Sequence, residues 1–192
     1  GTYPLPEAQV DRFMLKVLVG YPSATEEYVV VERMIRAPER IDAVLDATGL
    51  RGLQAAVDTV YVDPGVIQYA VALAGATRDP ARVGLPELAR YLSFGASPRA
   101  SINLILASRA LAYLRGRDYV IPTDVRELAP DVLRHRMVLS YEALADDVSA
   151  DDLLGPILAA VPLPESPGGR HTAASGDPIP ANVDPAWYRR PE

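Results

Sequence analysis

Two arginines stand where a permanent positive charge calls for an explanation. Arg12 lies in GTYPLPEAQVDRF, at the junction between a short helix and the β-like stretch MLKVLV. Arg99 lies in GASPRAS, in the first turn of a helix opened by Ser97 and Pro98. A guanidinium is planar and always charged, and its fork of donors matches phosphate oxygens. A junction arginine such as Arg12 can therefore act as a finger that neutralises charge developing on a transferred phosphoryl group. Arg99 is unusual because the helix dipole disfavours a cation at an N-terminus by up to about 1 kcal/mol. An anion shared by the guanidinium and the free first-turn amides would compensate, and a phosphate is the favoured choice. Each residue also has an ordinary reading: Arg12 as a surface ion pair with Asp11 or Glu7, Arg99 as a solvated side chain.

Little else in the 192 residues offers chemistry. There is no cysteine, which removes disulfides, thiolate metal sites and a cysteine nucleophile and agrees with a reducing compartment, so the cytoplasm is the expected location. His135 in LRHR is a single imidazole on a helix and reads as structural, and His171 falls in the tail; a metal site needs three or four converging ligands. Asp146 with Asp147, and Asp151 with Asp152, are sequence neighbours whose side chains point apart on a helix, so they read as solvated helix ends. The net charge of -6 argues against a nucleic-acid partner. No apolar run approaches the ~20 residues of a membrane helix, and the start of the chain lacks a basic-then-apolar signal pattern.

The elements that must position the two arginines read as mainly helical. Glu7 to Phe13 can form about two turns after the extended Pro4 to Pro6 entry, and Met14 to Val19 is a strand candidate stopped by Gly20 and Pro22. A single strand cannot make a sheet, so the chain is expected to be a piece of a longer protein with its other strands upstream. Ser23 and Glu26 form a capping-box pattern that opens a helix to about Arg36, with Glu32 and Arg36 spaced to pair. Residues 37–52 read as a short helix and loop, Leu53 to Tyr61 as a helix, and Asp63 with Pro64 as the start of the next, which stops near Asp79. The helix from Ser97 to about Leu114 is apolar on more than one face and should be central. Helices around Val125 to Leu133 and after Ser149 follow, the last one bent or restarted at Gly155-Pro156. From Pro162 the composition cannot bury enough surface to offset backbone ordering, so residues 162–192 are expected to be a disordered tail with the Trp187 cluster as its possible anchor.

Taken in order and spacing, GTYPLPEAQVDRF with MLKVLVGYPS, the GASPRAS helix, LRGRDYVIPTDV and LAPDVLRHR resemble the C-terminal half of MoxR-family AAA+ ATPases, from Gly1 to about Pro162. The resemblance implies a helical AAA+ lid preceded by one helix and strand left over from an α/β P-loop ATPase core. It divides the chain into a core remnant over 1–22, a lid over 23–161 with an insertion before the second sensor, and the tail. It implies that Arg12 is the finger reaching a neighbouring subunit's nucleotide and that Arg99 is the second sensor, reaching the subunit's own γ-phosphate. It further implies ATP and Mg²⁺ in the parent protein, a homo-oligomeric ring, expected to be a hexamer, client proteins that are remodelled or matured, and a partner with a von Willebrand A domain.

No G-x-x-x-x-G-K-[ST] occurs in the chain, so this stretch alone is expected neither to hold nucleotide stably nor to hydrolyse it. Two features depart from the family pattern: no polar cap stands directly before Pro122, and Gly155-Pro156 interrupts a segment usually continuous in relatives. A magnesium-chelatase-type motor subunit, with a similar finger and lid, is the nearest alternative. A non-catalytic helical interaction module is the alternative of another class.

Overall fold

A computed structural model describes residues 5–36 and 42–164. Its helices are α1 (Glu7–Val10), α2 (Ala24–Met34), α3 (Ala47–Asp58), α4 (Pro64–Arg78), α5 (Pro98–Leu114), α6 (Pro122–Leu133), α7 (Tyr141–Ala145) and α8 (Ala150–Ala160). Two short strands, β1 (Leu92–Phe94) and β2 (Val138–Leu139), pair antiparallel with Leu92 opposite Leu139 and Phe94 opposite Val138. Among the described residues no helix is long and apolar enough to cross a membrane. The fold is mainly helical, as the sequence indicates; from residue 165 onward the expected tail, with His171 and Trp187, lies outside the described residues.

The caps read from sequence form as expected. Ser23 Oγ accepts from the Glu26 amide at 3.3 Å while Glu26 Oε2 accepts from the Ser23 amide at 2.8 Å, and Glu32 pairs with Arg36. Asp63 Oδ1 accepts from the Gly65 amide at 2.7 Å, and Pro64 opens α4. Helix α5 is central: Ala100, Leu104 and Ala112 are fully buried, and it packs on both α4 and α6. Tyr69, Ala70 and Leu73 of α4, Val125, Ala129 and Val132 of α6, and Leu153, Leu154 and Ile157 of α8 complete this core. Burying such side chains contributes about 1.5–3 kcal/mol each, which outweighs the helix propensities of the individual segments.

Several boundaries differ from the sequence reading. The stretch Met14 to Val19 forms no strand among the described residues; it is exposed, and what lies beside it is the end of α6 rather than another strand, so no ladder can form. Helix α1 stops at Val10, not Phe13, and a turn follows. Residues 47–58 make one helix rather than loop followed by helix. Gly49 sits at its third position and donates its amide to the Asp46 cap at 2.6 Å. Helix α8 runs through Gly155 and Pro156 without restarting, held by the buried Leu153, Leu154 and Ile157 around them. The start of α6 is capped after all: Asp124 Oδ2, one turn in, reaches back to accept from the Ile121 amide at 3.0 Å.

That aspartate also locks the motif LRGRDYVIPTDV. Its side chain is fully buried, and both oxygens are engaged: Arg117 donates to them at 2.8 and 2.6 Å, and Arg115 donates to Oδ1 at 3.2 Å while gripping Glu127. The carboxylate thereby ties the C-terminus of α5 to the N-terminus of α6, across a turn that needs Gly116 at φ +71°. Removing one side of a buried, hydrogen-bonded ion pair is far more damaging than never having built it. Asp124→Ala is expected to lower unfolding free energy by about 3 kcal/mol in urea titrations; a loss under about 1 kcal/mol would contradict this role.

Candidate functional site

The loop that carries Arg99 is positioned by a close backbone approach. A Cβ on Gly95 would lie 2.3 Å from the Thr77 carbonyl oxygen, so only glycine lets this chain cross the end of α4. Thr77, fully buried, donates its hydroxyl to Ala74 O at 2.7 Å and accepts from the Ala96 amide at 2.9 Å. Ser97 then caps α5, its Oγ accepting from the Arg99 amide at 3.2 Å, and Pro98 occupies the first helical position.

Arg99 has found an anion, and it belongs to the protein. Its Nη1 donates to Asp11 Oδ2 at 3.0 Å, and Ser97 Oγ donates to both Asp11 oxygens at 3.0 Å. Placing a carboxylate at the N-terminus of α5 compensates the cation that the helix dipole disfavours. A phosphate is therefore not required to account for the charge of Arg99. The sequence reading offered Asp11 as a partner for Arg12; the structure gives it to Arg99 instead.

Asp11 is held from a third side by Arg136, whose side chain is wholly buried and whose Nε lies 3.3 Å from Asp11 Oδ1. The rest of that guanidinium is spent on main chain: Nη2 donates to Asp11 O at 3.1 Å and to Phe13 O, and Nη1 donates to Met14 O at 3.2 Å and to Val132 O. The neighbouring side chains continue the pattern. His135 Nε2 donates to Phe13 O at 3.0 Å, and Arg134 donates to Lys16 O at 2.8 Å while paired with Asp131 and Asp151. Lys16 in turn donates its amide to Asp131 O at 2.8 Å. The motif LRHR thus fastens residues 11–16 to the end of α6, with His135 in the turn that follows the helix rather than on it.

Arg12 sits inside this fastened stretch but takes no part in it. Its backbone amide donates to Gln9 O at 3.2 Å, while its side chain is exposed and has no hydrogen-bond or ion-pair partner among the described residues. Neither Arg12 nor Arg99 is pinned within the helical packing: the Arg99 side chain is 56% exposed despite its pair with Asp11. A groove of about 450 Å³ opens beside the junction, lined by Leu5, Val10, Asp11, Ser97, His135 and Arg136 among others. Neither Arg12 nor Arg99 lines it. Among the described residues no group of three His, Cys, Asp or Glu side chains is placed to hold a metal ion.

Residues 88–157 match the family described as AAA lid domain. The chain is 47% identical over 165 residues to a chaperone, MoxR1, of Mycobacterium tuberculosis, an alignment covering 86% of this chain and 44% of that one. It is 33% identical to the protein MoxR of Paracoccus denitrificans, over 85% of this chain and 52% of that one. A crystal structure from Cytophaga hutchinsonii, assigned as an ATPase, superposes with a TM-score of 0.82 at 37% identity, covering 86% of this chain and 51% of that chain. The chain is the C-terminal part of a MoxR-type AAA+ ATPase. It spans about half the length of the curated relatives it matches.

Within that MoxR-type frame, sequence reasoning singled out Arg12 and Arg99 but missed Asp11 and Arg136. The available signal was the dense run of bases in LRHR at the end of a helix, which demands either solvent or a cluster of acceptors.

Protonation of this junction has a definite sign. Burial raises the Asp11 pKa, but hydrogen bonds from Arg99 and Ser97 and the charges of Arg136 and Arg99 outweigh it, leaving the carboxyl below its ordinary 3.8. Burial, assisted by the charges of Arg136 and Lys16, lowers His135 below 6.5 against the bond to Phe13 O. Both groups bind protons more readily unfolded than folded, so both contribute stability at higher pH that is lost as pH falls through the folded values. Unfolding titrations should therefore weaken in two stages, one just below pH 6.5 that His135→Gln reduces and one below pH 3.8 that Asp11→Asn reduces. Acid profiles identical in wild type and both variants would contradict this linkage.

Proposed function

We propose that this chain supplies two cationic contacts to ATP hydrolysis in a ring-forming AAA+ motor: Arg12 as the finger offered to the nucleotide of an adjoining subunit, and Arg99 as the second sensor of its own. The observation that carries the reading is the state of Arg12. The main chain on both sides is fixed, through Asp11 and Phe13 to Arg136, while the guanidinium itself remains exposed and uncommitted. A long charged side chain on an anchored backbone is what a group acting on a neighbouring molecule requires, because the cost of ordering its attachment is already met in the free protein.

The donors fit phosphate oxygens. Arg99 keeps part of its donor fork uncommitted, and it stands at the N-terminus of a helix of 17 residues whose dipole favours negative charge. Nucleoside triphosphate would bring a γ-phosphoryl group whose transfer spreads charge over its oxygens, and Arg12 would stabilise that charge from across a subunit interface. The described residues offer no cluster that fits Mg²⁺, so no step here is assigned to the metal. The phosphate cradle and the metal-binding acid would come from the remaining part of the parent polypeptide, and the stretch described here would be inactive alone.

The further reading is of a chaperone-like motor. One relative is named a chaperone, which supports remodelling or maturation of client proteins; the resemblance to the MoxR family adds to this reading a homo-oligomeric ring, a hexamer, that works with a von Willebrand A domain protein in the cytoplasm.

The test uses the parent polypeptide. Arg12→Ala is expected to lower the ATPase kcat by roughly a thousandfold with little change in nucleotide affinity, as for other arginine fingers. Mixing Arg12→Ala subunits with subunits that carry Arg12 but cannot bind ATP should restore activity at the mixed interfaces. An unchanged rate in the Arg12→Ala protein, or no rescue on mixing, would reject the finger. Arg99→Ala should weaken ATP binding more than ADP binding; equal affinities for wild type and variant would reject the sensor.

A further inference from the structure

We infer that Asp11 is a placeholder for the terminal phosphate: it parks Arg99 while the site lacks a triphosphate and gives it up when one binds. The inference rests on the reading of Arg99 as a nucleotide contact and adds to it a residue that regulates that contact.

The argument comes from the unequal partners of one carboxylate. Toward Arg136 the pair is buried on the arginine side, which has no exposed side-chain surface and four main-chain oxygens around it, so this partner cannot leave without stranding a buried charge. Ser97 Oγ reaches both carboxylate oxygens and is fixed as the cap of α5. Toward Arg99 the pair is more than half exposed on the arginine side and is made by a single Nη1 bond at 3.0 Å. An exposed, singly bonded pair is worth little and exchanges readily. Release of Arg99 would therefore leave Asp11 neutralised by Arg136 and bonded to Ser97. Arg99, by contrast, cannot stand alone without cost, since it is a cation in the first turn of α5 and needs some anion near it. Two anions, one internal and one delivered, compete for one guanidinium, and only the internal one has a standing second partner.

The exchange has a mechanical corollary. Asp11 and Arg12 are consecutive, so the carboxylate that holds Arg99 at the lid is joined by one peptide unit to the finger. Moving Arg99 off Asp11 changes the forces on the residue preceding the finger, which places the cis nucleotide and the trans contact on one lever. Asp11 is a positioning residue in this scheme; it touches Arg99 and not the nucleotide.

The test measures equilibrium affinity for a non-hydrolysable ATP analogue and for ADP in the parent polypeptide bearing Asp11→Asn, Arg99→Ala, or both. Asparagine keeps a polar side chain for Ser97 but removes the competing charge. Asp11→Asn is expected to tighten analogue binding about fivefold, the scale of an exposed ion pair, with a smaller effect on ADP. In the Arg99→Ala background the same substitution should change nothing. If Arg99→Ala weakens the analogue but Asp11→Asn leaves affinity unchanged or weaker, the placeholder is rejected and the sensor stands. If Arg99→Ala has no effect, the sensor reading falls and the placeholder with it. Should the Asp11→Asn protein not fold, the unmutated protein labelled at aspartate carboxyl carbon decides. The Asp11 titration midpoint should rise on saturation with the analogue as Arg99 departs, and an unmoved midpoint overturns the proposal.

Discussion

Burying a guanidinium is costly unless its charge is paired and most of its donors find acceptors, and Arg136 imposes that requirement on this molecule: both of its Nη groups are hydrogen-bonded, and its Nε meets Asp11 only as an ion pair at 3.3 Å. Its side chain is sealed from solvent, and the acceptors it finds are the carboxylate of Asp11 and the main-chain oxygens of Asp11, Phe13, Met14 and Val132. Those acceptors lie on two segments more than a hundred residues apart in sequence, the turn after α1 and the end of α6. Satisfying one charge therefore fixes the attachment of the N-terminal stretch to the helical domain. The neutral carbonyls satisfy the N–H donors through charge-assisted hydrogen bonds, while the Asp11 carboxylate supplies the counter-charge.

From that anchor the rest of the junction follows in sequence. Asp11, held by Arg136, stands at the N-terminus of α5, where a negative charge is favoured by the dipole and by Arg99. The GASP turn can bring Ser97 to that carboxylate because Gly95 passes against Thr77 with no room for a side chain, and the Thr77 hydroxyl captures the next amide. Behind it, the Asp124 clamp with Arg115 and Arg117 fixes the angle between α5 and α6, and so the distance from Ser97 at one end of α5 to Arg136 just beyond α6. The apolar core sets the helices side by side; these charged contacts decide how the end bearing the arginines is arranged.

What was legible in the sequence is what local chemistry decides. The caps at Ser23, Asp63 and Ser97 and the central character of α5 could be read because each depends on residues within a few positions of one another. The family could be read from several separated strings in the right order. What could not be read depends on partners distant in the chain. Asp11, one of two acids that the sequence offers to Arg12, reaches Arg99 and Arg136 instead. The β1–β2 pair involves strands of three and two residues joined across 43 intervening positions. The strand expected at Met14 to Val19 has the composition of a strand and lacks a described ladder partner, a condition no single segment encodes. Residues 47–52, expected as part of a short helix and loop, belong to α3 because Asp46 caps it, and Gly155-Pro156 does not break α8 because a buried face holds that helix together.

The most direct measurement of the central claim is amide hydrogen exchange at Lys16, whose N–H donates to Asp131 O only while residues 11–16 stay fastened to the end of α6. In Arg136→Met, which keeps the bulk of the side chain and removes every donor, the Lys16 amide is expected to lose its protection while amides in the middle of α5 retain theirs. Protection at Lys16 equal to that of the unmutated chain would show that the junction holds without Arg136, and would contradict the account.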